Sequence, residues 1–248
     1  MPRFLRKLGA STMKRYYIAL KNGLSVGKSY GIYFLFDWRH SIDKKVAFRL
    51  YEDKQLMLFK GIAERFKPDY FFDIGAHAGL YSLLAKTGSS DTDIHAFEPD
   101  KQNVSQLYAN LYLNKQFDCI NVHNAAISNT SGVAFLDRSS DTSRATRCIA
   151  DSGSYQVTVS RFDDLFSEKG KTALFKIDVE GHESGVIEGA EEFLRANQCI
   201  LIIESRPNEF IRLQEQMHQL GYNEYDFHDA KLDHFFYNFD FSFQENLE

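Results

Sequence analysis

Prolines are scarce in this chain, four in 248 residues, and no biased tract or fixed-period repeat interrupts it. Those absences exclude a disordered or collagen-like protein and the solenoid and propeller architectures. Cysteine is equally sparse. Cys119, Cys148 and Cys199 are odd in number and far apart, which leaves neither a CxxC zinc site nor a disulfide framework and suits a reducing, cytoplasmic setting. No apolar run approaches the roughly 18 residues that would span a bilayer. Acid is missing from residues 1–36, where Arg3, Arg6, Lys7, Lys14, Arg15, Lys21 and Lys28 stand unopposed. Elsewhere the other 22 of the 29 basic residues face all 34 acidic ones, so the net charge of −5 hides a basic start and an acidic remainder. A chain acidic overall has no general affinity for nucleic acid. Leu5, Leu8, Met13, Tyr17 and Leu20 recur at near-helical spacing through the basic segment. Residues 1–50 therefore read as a basic helical extension, packed on the following domain or in peripheral contact with an anionic membrane surface. Residues 51–248 read as one catalytic domain.

What is present in quantity is aromatic side chain, 36 Phe, Tyr and Trp, enough for a large core. From Leu56 onward helical and strand patterns alternate. Leu56, Phe59, Ala63 and Phe66 mark a helix that Pro68 ends; Tyr70 to Ile74, Asp93 to Phe97, Ala173 to Val179 and Cys199 to Glu204 are short apolar runs that read as buried strands. One helix is expected along Val186, Ile187, Ala190, Phe193 and Leu194, and another along Phe210, Leu213, Met217 and Leu220. Ser139 to Ser154 is polar and reads as a long loop. The alternation of Tyr237, Phe239, Phe241 and Phe243 with polar residues predicts a half-buried, antiparallel last strand. Strands alternating with helices specify an α/β, mostly parallel sheet covered on both faces, with its ligand site beyond the carboxyl ends of the strands.

Two strand ends concentrate chemistry. The first reads Asp73-Ile74-Gly75-Ala76-His77-Ala78-Gly79, and the second strand ends at Glu98-Pro99. Gly75 permits a sharp turn close to a ligand, Gly79 lets the next helix begin nearby, and Glu98 falls where an acid meets a ribose hydroxyl pair. A nicotinamide fingerprint requires G-x-G-x-x-G, whereas positions 77 and 80 are His and Leu. The G-x-x-x-G spacing, with an acid two residues before the first glycine, suits S-adenosylmethionine, whose sulfonium and ammonium attract carboxylates. The other end is Lys176-Ile177-Asp178-Val179-Glu180-Gly181-His182-Glu183. Alternation puts Lys176, Asp178 and Glu180 on one side, with Glu204 ending the neighbouring strand. Asp178, Glu180 and His182 are the candidate general bases, with Asp178 expected to be indispensable and His182 to be the proton acceptor, and acids flanking His182 are expected to raise its pKa. The N/D-P-P-Y/F signature of nucleic-acid N-methyltransferases is absent at Asp178 to Gly181.

Asp73 to Ser82 (DIGAHAGLYS), Ala96 to Pro99 (AFEP), Asn124 to Ser128 (NAAIS), Lys176 to Glu183 (KIDVEGHE) and Leu201 to Glu204 (LIIE) together resemble the FkbM family of S-adenosylmethionine-dependent methyltransferases over roughly Leu50 to Tyr222. The resemblance implies a Rossmann-like class I fold, with a seven-stranded, mostly parallel sheet and an antiparallel last strand. It implies O-methylation, often of a sugar hydroxyl in a polysaccharide, glycolipid or glycosylated small molecule. By it, Asp73, Gly75, Ala76, His77 and Gly79 would border the methionine and ribose, with His77 standing where the family commonly has Asn. Glu98 would take the ribose hydroxyls, Pro99, Asn103 and Ala126 would lie by the adenine, and Asp178 to Glu183 would border the transfer centre. No resident metal is expected; the alternatives are a Mg²⁺-dependent O-methyltransferase using Asp178, Glu180 and Glu204, or a non-catalytic protein that binds a glycan or partner.

Overall fold

The computed structural model describes residues 23–51, 53–89, 91–136, 149–150, 155–226 and 232–241. Most of the basic segment and most of the loop from Ser139 to Ser154 lie outside these. Among the described residues no helix is long and apolar enough to cross a membrane.

The apolar runs become the middle of a seven-stranded sheet. Its strands are β3 (Tyr70–Ile74), β4 (Asp93–Phe97), β5 (Asn121–His123), β10 (Thr172–Ile177), β11 (Gln198–Glu204), β12 (Asn223–Tyr225) and β13 (Asp233–Tyr237), in the order β12-β13-β11-β10-β3-β4-β5. β5, β4, β3, β10 and β11 run parallel, and β13 is antiparallel between β11 and β12. Central strands covered on both faces have no solvent side, hence their continuous apolar runs. Successive residues of a strand feed opposite faces: Phe71, Leu174, Ile200 and Ile202 enter one core, Phe72, Phe175, Leu201 and Ile203 the other.

The first core is covered by α2 (Asp53–Phe66), α3 (Leu80–Gly88) and α4 (Lys101–Leu113), the second by α5 (Phe162–Leu165), α6 (Glu183–Gly189), α7 (Glu191–Ala196) and α8 (Pro207–Gln219). Phe72 centres the second core, its ring 4.7–5.5 Å from those of Phe162, Phe166, Phe175 and Phe193. The single helix expected over Val186 to Leu194 is two helices, α6 and α7. Gly189 lies so close to a neighbouring strand that a Cβ there would sit 2.0 Å from the Ser128 carbonyl oxygen. That strand, β6 (Ala126–Ser128), belongs to a second sheet with β7 (Gly132–Leu136), β8 (Ile149–Ala150) and β9 (Tyr155–Arg161), in the order β6-β9-β7-β8.

Both ends of the chain differ from the sequence reading. Residues 24–37, expected within a helical extension, form a hairpin of β1 (Leu24–Ser29) and β2 (Ile32–Asp37), followed by α1 (Ser41–Ala47). Its two-residue turn places Tyr30 and Gly31 at φ 50° and 83°, the left-handed pair that matches strand twist. Ile32, Phe34 and Phe36 alternate inward and join the first core, so no core boundary falls at residue 50. The outer edge of β2 is paired by side chains of α4. Gln106 Nε2 donates to the Leu35 carbonyl (2.8 Å), Asn110 Oδ1 accepts from Leu35 N–H (2.7 Å), and Asn114 both accepts from Tyr33 N–H (2.9 Å) and donates to its carbonyl (2.7 Å). At the other end, the antiparallel strand is β13, upstream of the alternating Tyr237–Phe243 stretch. Phe235 and Phe236 are buried on opposite faces, so β13 shows no alternation, whereas Phe239 and Phe241 pack on Phe66 beyond the strand. Phe243 lies outside the described residues.

Removing the ring at the centre of the second core leaves a cavity that its aromatic neighbours cannot fill. Phe72→Ala is expected to lower the unfolding free energy by about 3–5 kcal/mol, read in urea as a lower midpoint at unchanged slope.

Candidate active site

Register sets the site. Ile74 pairs with both Phe97 and Ile177, and Ile177 pairs with Ile203, so four parallel strands end at one level. The residues that follow or close them, Gly75, Glu98, Asp178 and Glu204, share that edge. Gly75 and Ala76 both donate N–H to the Phe97 carbonyl, at 2.9 and 3.0 Å, and Asp178 N–H donates to the Ile74 carbonyl at 2.9 Å. Gly75 turns at φ 86°, and a Cβ there would meet the Asp178 carbonyl oxygen at 1.8 Å. β4 lies on one side of β3 and β10 on the other, so the sheet's direction of winding reverses here.

A cavity of about 320 Å³ opens at this reversal. The hairpin and α1 form its opposite wall through Phe34, Phe36, Ile42 and Val46, with Tyr51 from the connection to α2. Of the residues singled out from sequence, Asp73, Gly75, Ala76, His77, Glu98, Pro99, Asn103, Ala126, Asp178 and Glu180 all line it. Gly79 and His182 are not among the lining residues. Gly79 precedes α3 at φ 81°, with Leu107 2.2 Å from where its Cβ would be, so its smallness serves helix packing. The His182 ring Nε2 lies 2.8 Å from Ser128 Oγ, on the second sheet. Its pKa, expected to rise, is instead lowered by burial, which Glu188 only partly offsets.

The cavity's buried carboxylates are each held by a different partner. Asp73 Oδ2 accepts from the Ser82 N–H (2.9 Å) and hydroxyl (2.6 Å), yet burial raises its pKa to about 6. Glu98 accepts the His77 N–H on Oε2 (2.9 Å) and the Asp100 N–H on Oε1 (2.8 Å); burial still pushes it up to about 8. Asn103 also hydrogen-bonds Glu98, while its own Oδ1 is buried without a partner at the cavity wall. Asp178 is raised by burial against the pull of Lys176, and it hydrogen-bonds Glu204. Glu180, in a left-handed backbone (φ 54°), is raised by burial and pairs with Arg206 at 2.9 Å. Seven Asp and Glu line the cavity against Lys45 and Lys176, a field that favours a cationic ligand over an anionic one.

The family model for the methyltransferase FkbM domain matches residues 73–236, about two thirds of the chain. The chain belongs to the FkbM methyltransferase family. Hexuronic acid methyltransferase AglP of Haloferax volcanii is 23% identical over 143 residues, which cover 57% of this chain. The match spans only 58% of that curated relative's length. The crystal structure of the methyltransferase FkbM from Methylobacillus flagellatus superposes with a TM-score of 0.51 at 17% identity, covering 68% of this chain and 43% of the other. That likeness is one of fold, and the seven-stranded sheet with its antiparallel β13 is the class I methyltransferase architecture expected from sequence.

For this FkbM chain, several wall residues had no sequence signal. Tyr81 and Gln106 read as ordinary helix positions, and the hairpin contributes a face that the strand-end motifs do not announce. Lys176 was visible by alternation, but its partner Asp233 lies on a strand that the alternating pattern had placed downstream.

The close approach at Gly75 separates steric from conformational cost. Gly75→Ala is expected to destabilise by more than the about 1–2 kcal/mol that a left-handed φ alone costs. Gly31→Ala, with nothing within 4 Å of its Cβ, should stay at that lower level in the same denaturation measurement.

Proposed function

We propose that this protein is an S-adenosylmethionine-dependent O-methyltransferase whose acceptor is a sugar hydroxyl of a polysaccharide, glycolipid or glycosylated small molecule. The observation that carries the reading is the pairing, in one cavity, of a cofactor-sized acidic cradle with a further buried carboxylate at Asp178. The residues present fit the cofactor. Asn103 Oδ1 is a buried acceptor that lacks a donor, Glu98 stands beside it, and the surrounding carboxylates suit a sulfonium and an ammonium. Asp73 and the turn Gly75–His77 would hold the methionine and ribose, Glu98 would accept the ribose hydroxyls, and Asn103, Pro99 and Ala126 would flank the adenine. When bound, S-adenosylmethionine supplies an electrophilic methyl carbon on a positively charged sulfur.

A sugar hydroxyl needs its proton removed as its oxygen attacks. Asp178 is the carboxylate for this: it lines the cavity, while His182 is turned to Ser128. Asp178, Glu180 and Glu204 also supply acceptors for further acceptor hydroxyls, and β2 and α1 contribute apolar side chains to the same cavity. The relative from Haloferax, named as a hexuronic acid methyltransferase, supports a sugar acceptor.

Two outcomes test the reading. S-adenosylmethionine should bind saturably in calorimetry. Its affinity should rise with pH through about 8, because only ionised Glu98 accepts two ribose hydroxyls, and level off above that value. Glu98→Gln should bind about tenfold or more weakly and lose the pH dependence, as one charge-assisted hydrogen bond is worth about 1.5–3 kcal/mol. Asp178→Asn should lower turnover by about 10²–10⁴-fold with cofactor affinity kept, whereas His182→Ala should keep most of the turnover. An active Asp178→Asn enzyme with an unaltered pH profile refutes the assignment of the base.

A further inference from the structure

One buried charge in the cavity is not consumed by this mechanism. Lys176 is 1% exposed, at the end of β10. Its Nζ lies 2.9 Å from Asp233 Oδ1 on β13, 4.0 Å from Glu204 Oε2 on β11, and 5.3 Å from the ring centroid of Tyr81 on α3. Asp178, two residues further on and just past the end of β10, attracts it electrostatically, as does Asp73 on β3. An unpaired ammonium would be expelled from such a site or lose its proton; the carboxyl groups of Asp233, Asp178 and Glu204 hold this one charged, above the usual lysine range despite burial. Asp178 in turn hydrogen-bonds Glu204, and two carboxyl groups so joined hold one proton between them. Asp73, Glu98, Glu180 and Glu183 are the other acids that feel the charge of Asp178. Asp233 is not among the cavity's lining residues, so its only route to the chemistry is through Lys176 and the field it adds.

We propose that Lys176 and Asp233 are a pair of positioning residues, acting in opposite senses, that set the proton affinity of the Asp178–Glu204 carboxyl pair. This rests on the reading of Asp178 as proton acceptor. In the resting protein the pair holds one proton and one negative charge. As the acceptor O–H bond breaks, its electron pair forms the new O–CH₃ bond, its proton completes the second carboxyl, and the sulfur leaves with the electrons of the broken S–CH₃ bond. Lys176 lowers the proton affinity of the pair and Asp233 raises it by offsetting Lys176. Glycine or alanine at either position would change packing; the charge alone changes the titration.

The two senses give the test. Carboxyl carbons of the cofactor-free protein are titrated by ¹³C NMR, with Asp178 and Glu204 assigned from Asp178→Asn and Glu204→Gln. Methyl transfer is followed over the same pH range with S-adenosylmethionine and a panel of glycosides. Lys176→Met should move the titration of the pair, and the acid limb of kcat/KM, upward by about one pH unit or more. Asp233→Asn should move both downward, and Lys176→Arg should leave both near the native position, as a charge within about 4–6 Å shifts a carboxyl by 1–3 units. Lys176→Gln/Asp233→Asn removes one charge of each sign, keeps the net charge of the site and replaces either single variant that does not fold. Lys176 acts on Asp178 more strongly than Asp233 does, so this double variant should still titrate upward. Shifts of the same sign in the two single variants, or an unmoved double variant, overturn the proposal. Opposite shifts in the NMR titration without methyl transfer to any glycoside would leave the pairing intact and refute the functional reading beneath it.

Discussion

The common level at which β3, β4, β10 and β11 end is the constraint on which the rest of the molecule depends. Parallel strands in this register deliver their next residues to one line, and every polar group on that line must find a partner in a nearly dry place. The Phe97 carbonyl satisfies two N–H groups of the turn after β3, and the Ile74 carbonyl receives the N–H of Asp178. Those exchanges bring the backbone of Gly75 against that of Asp178, closer than any side chain would allow. The cavity is what remains beside this seam.

Burial then governs the electrostatics. Asp73, Glu98, Asp178 and Glu180 all have their pKa raised by desolvation, and what differs is how much each neighbour takes back. Ser82 supplies two donors to Asp73, backbone N–H groups serve Glu98, Lys176 serves Asp178, and Arg206 serves Glu180. Neighbouring groups of one chemical type are thus given separate proton affinities within one cavity.

Much of this was legible in the sequence because it is local. The glycine turn after Asp73, the acid at Glu98 and the Lys176 to Glu183 run each lie within a few residues of a strand whose apolar run is plain, and the mostly parallel direction of the strands follows from the alternation of elements. What stayed hidden depends on partners distant in the chain. His182 sits among acids in the sequence, yet folding turns its ring toward Ser128, 54 residues away. Asp233 reaches Lys176 across 57 residues from a strand buried on both faces, so no alternation marked it. The hairpin of β1 and β2 was obscured by the basic residues near it, which gave the segment a helical, surface-bound look. Ile32, Phe34 and Phe36 alternate as a strand should, but the run is interleaved with Tyr33 and Leu35, and only the pairing partner reveals which face is inward.

The ladder of amides on α4 carries a consequence beyond holding the hairpin. A strand edge with open N–H and C=O groups invites another chain to add to it, and Gln106, Asn110 and Asn114 close that edge with side chains in place of a strand. Asn110 is fully buried, and its Nδ2 donates to the carbonyl of Ala78 in the glycine turn at 2.8 Å. One amide therefore joins the wall contributed by the N-terminal hairpin to the loop at the cavity's floor. The hairpin cannot swing outward to widen the entrance without either breaking that bond or drawing the turn after β3 along with it, so the two sides of the cavity are mechanically a single jaw.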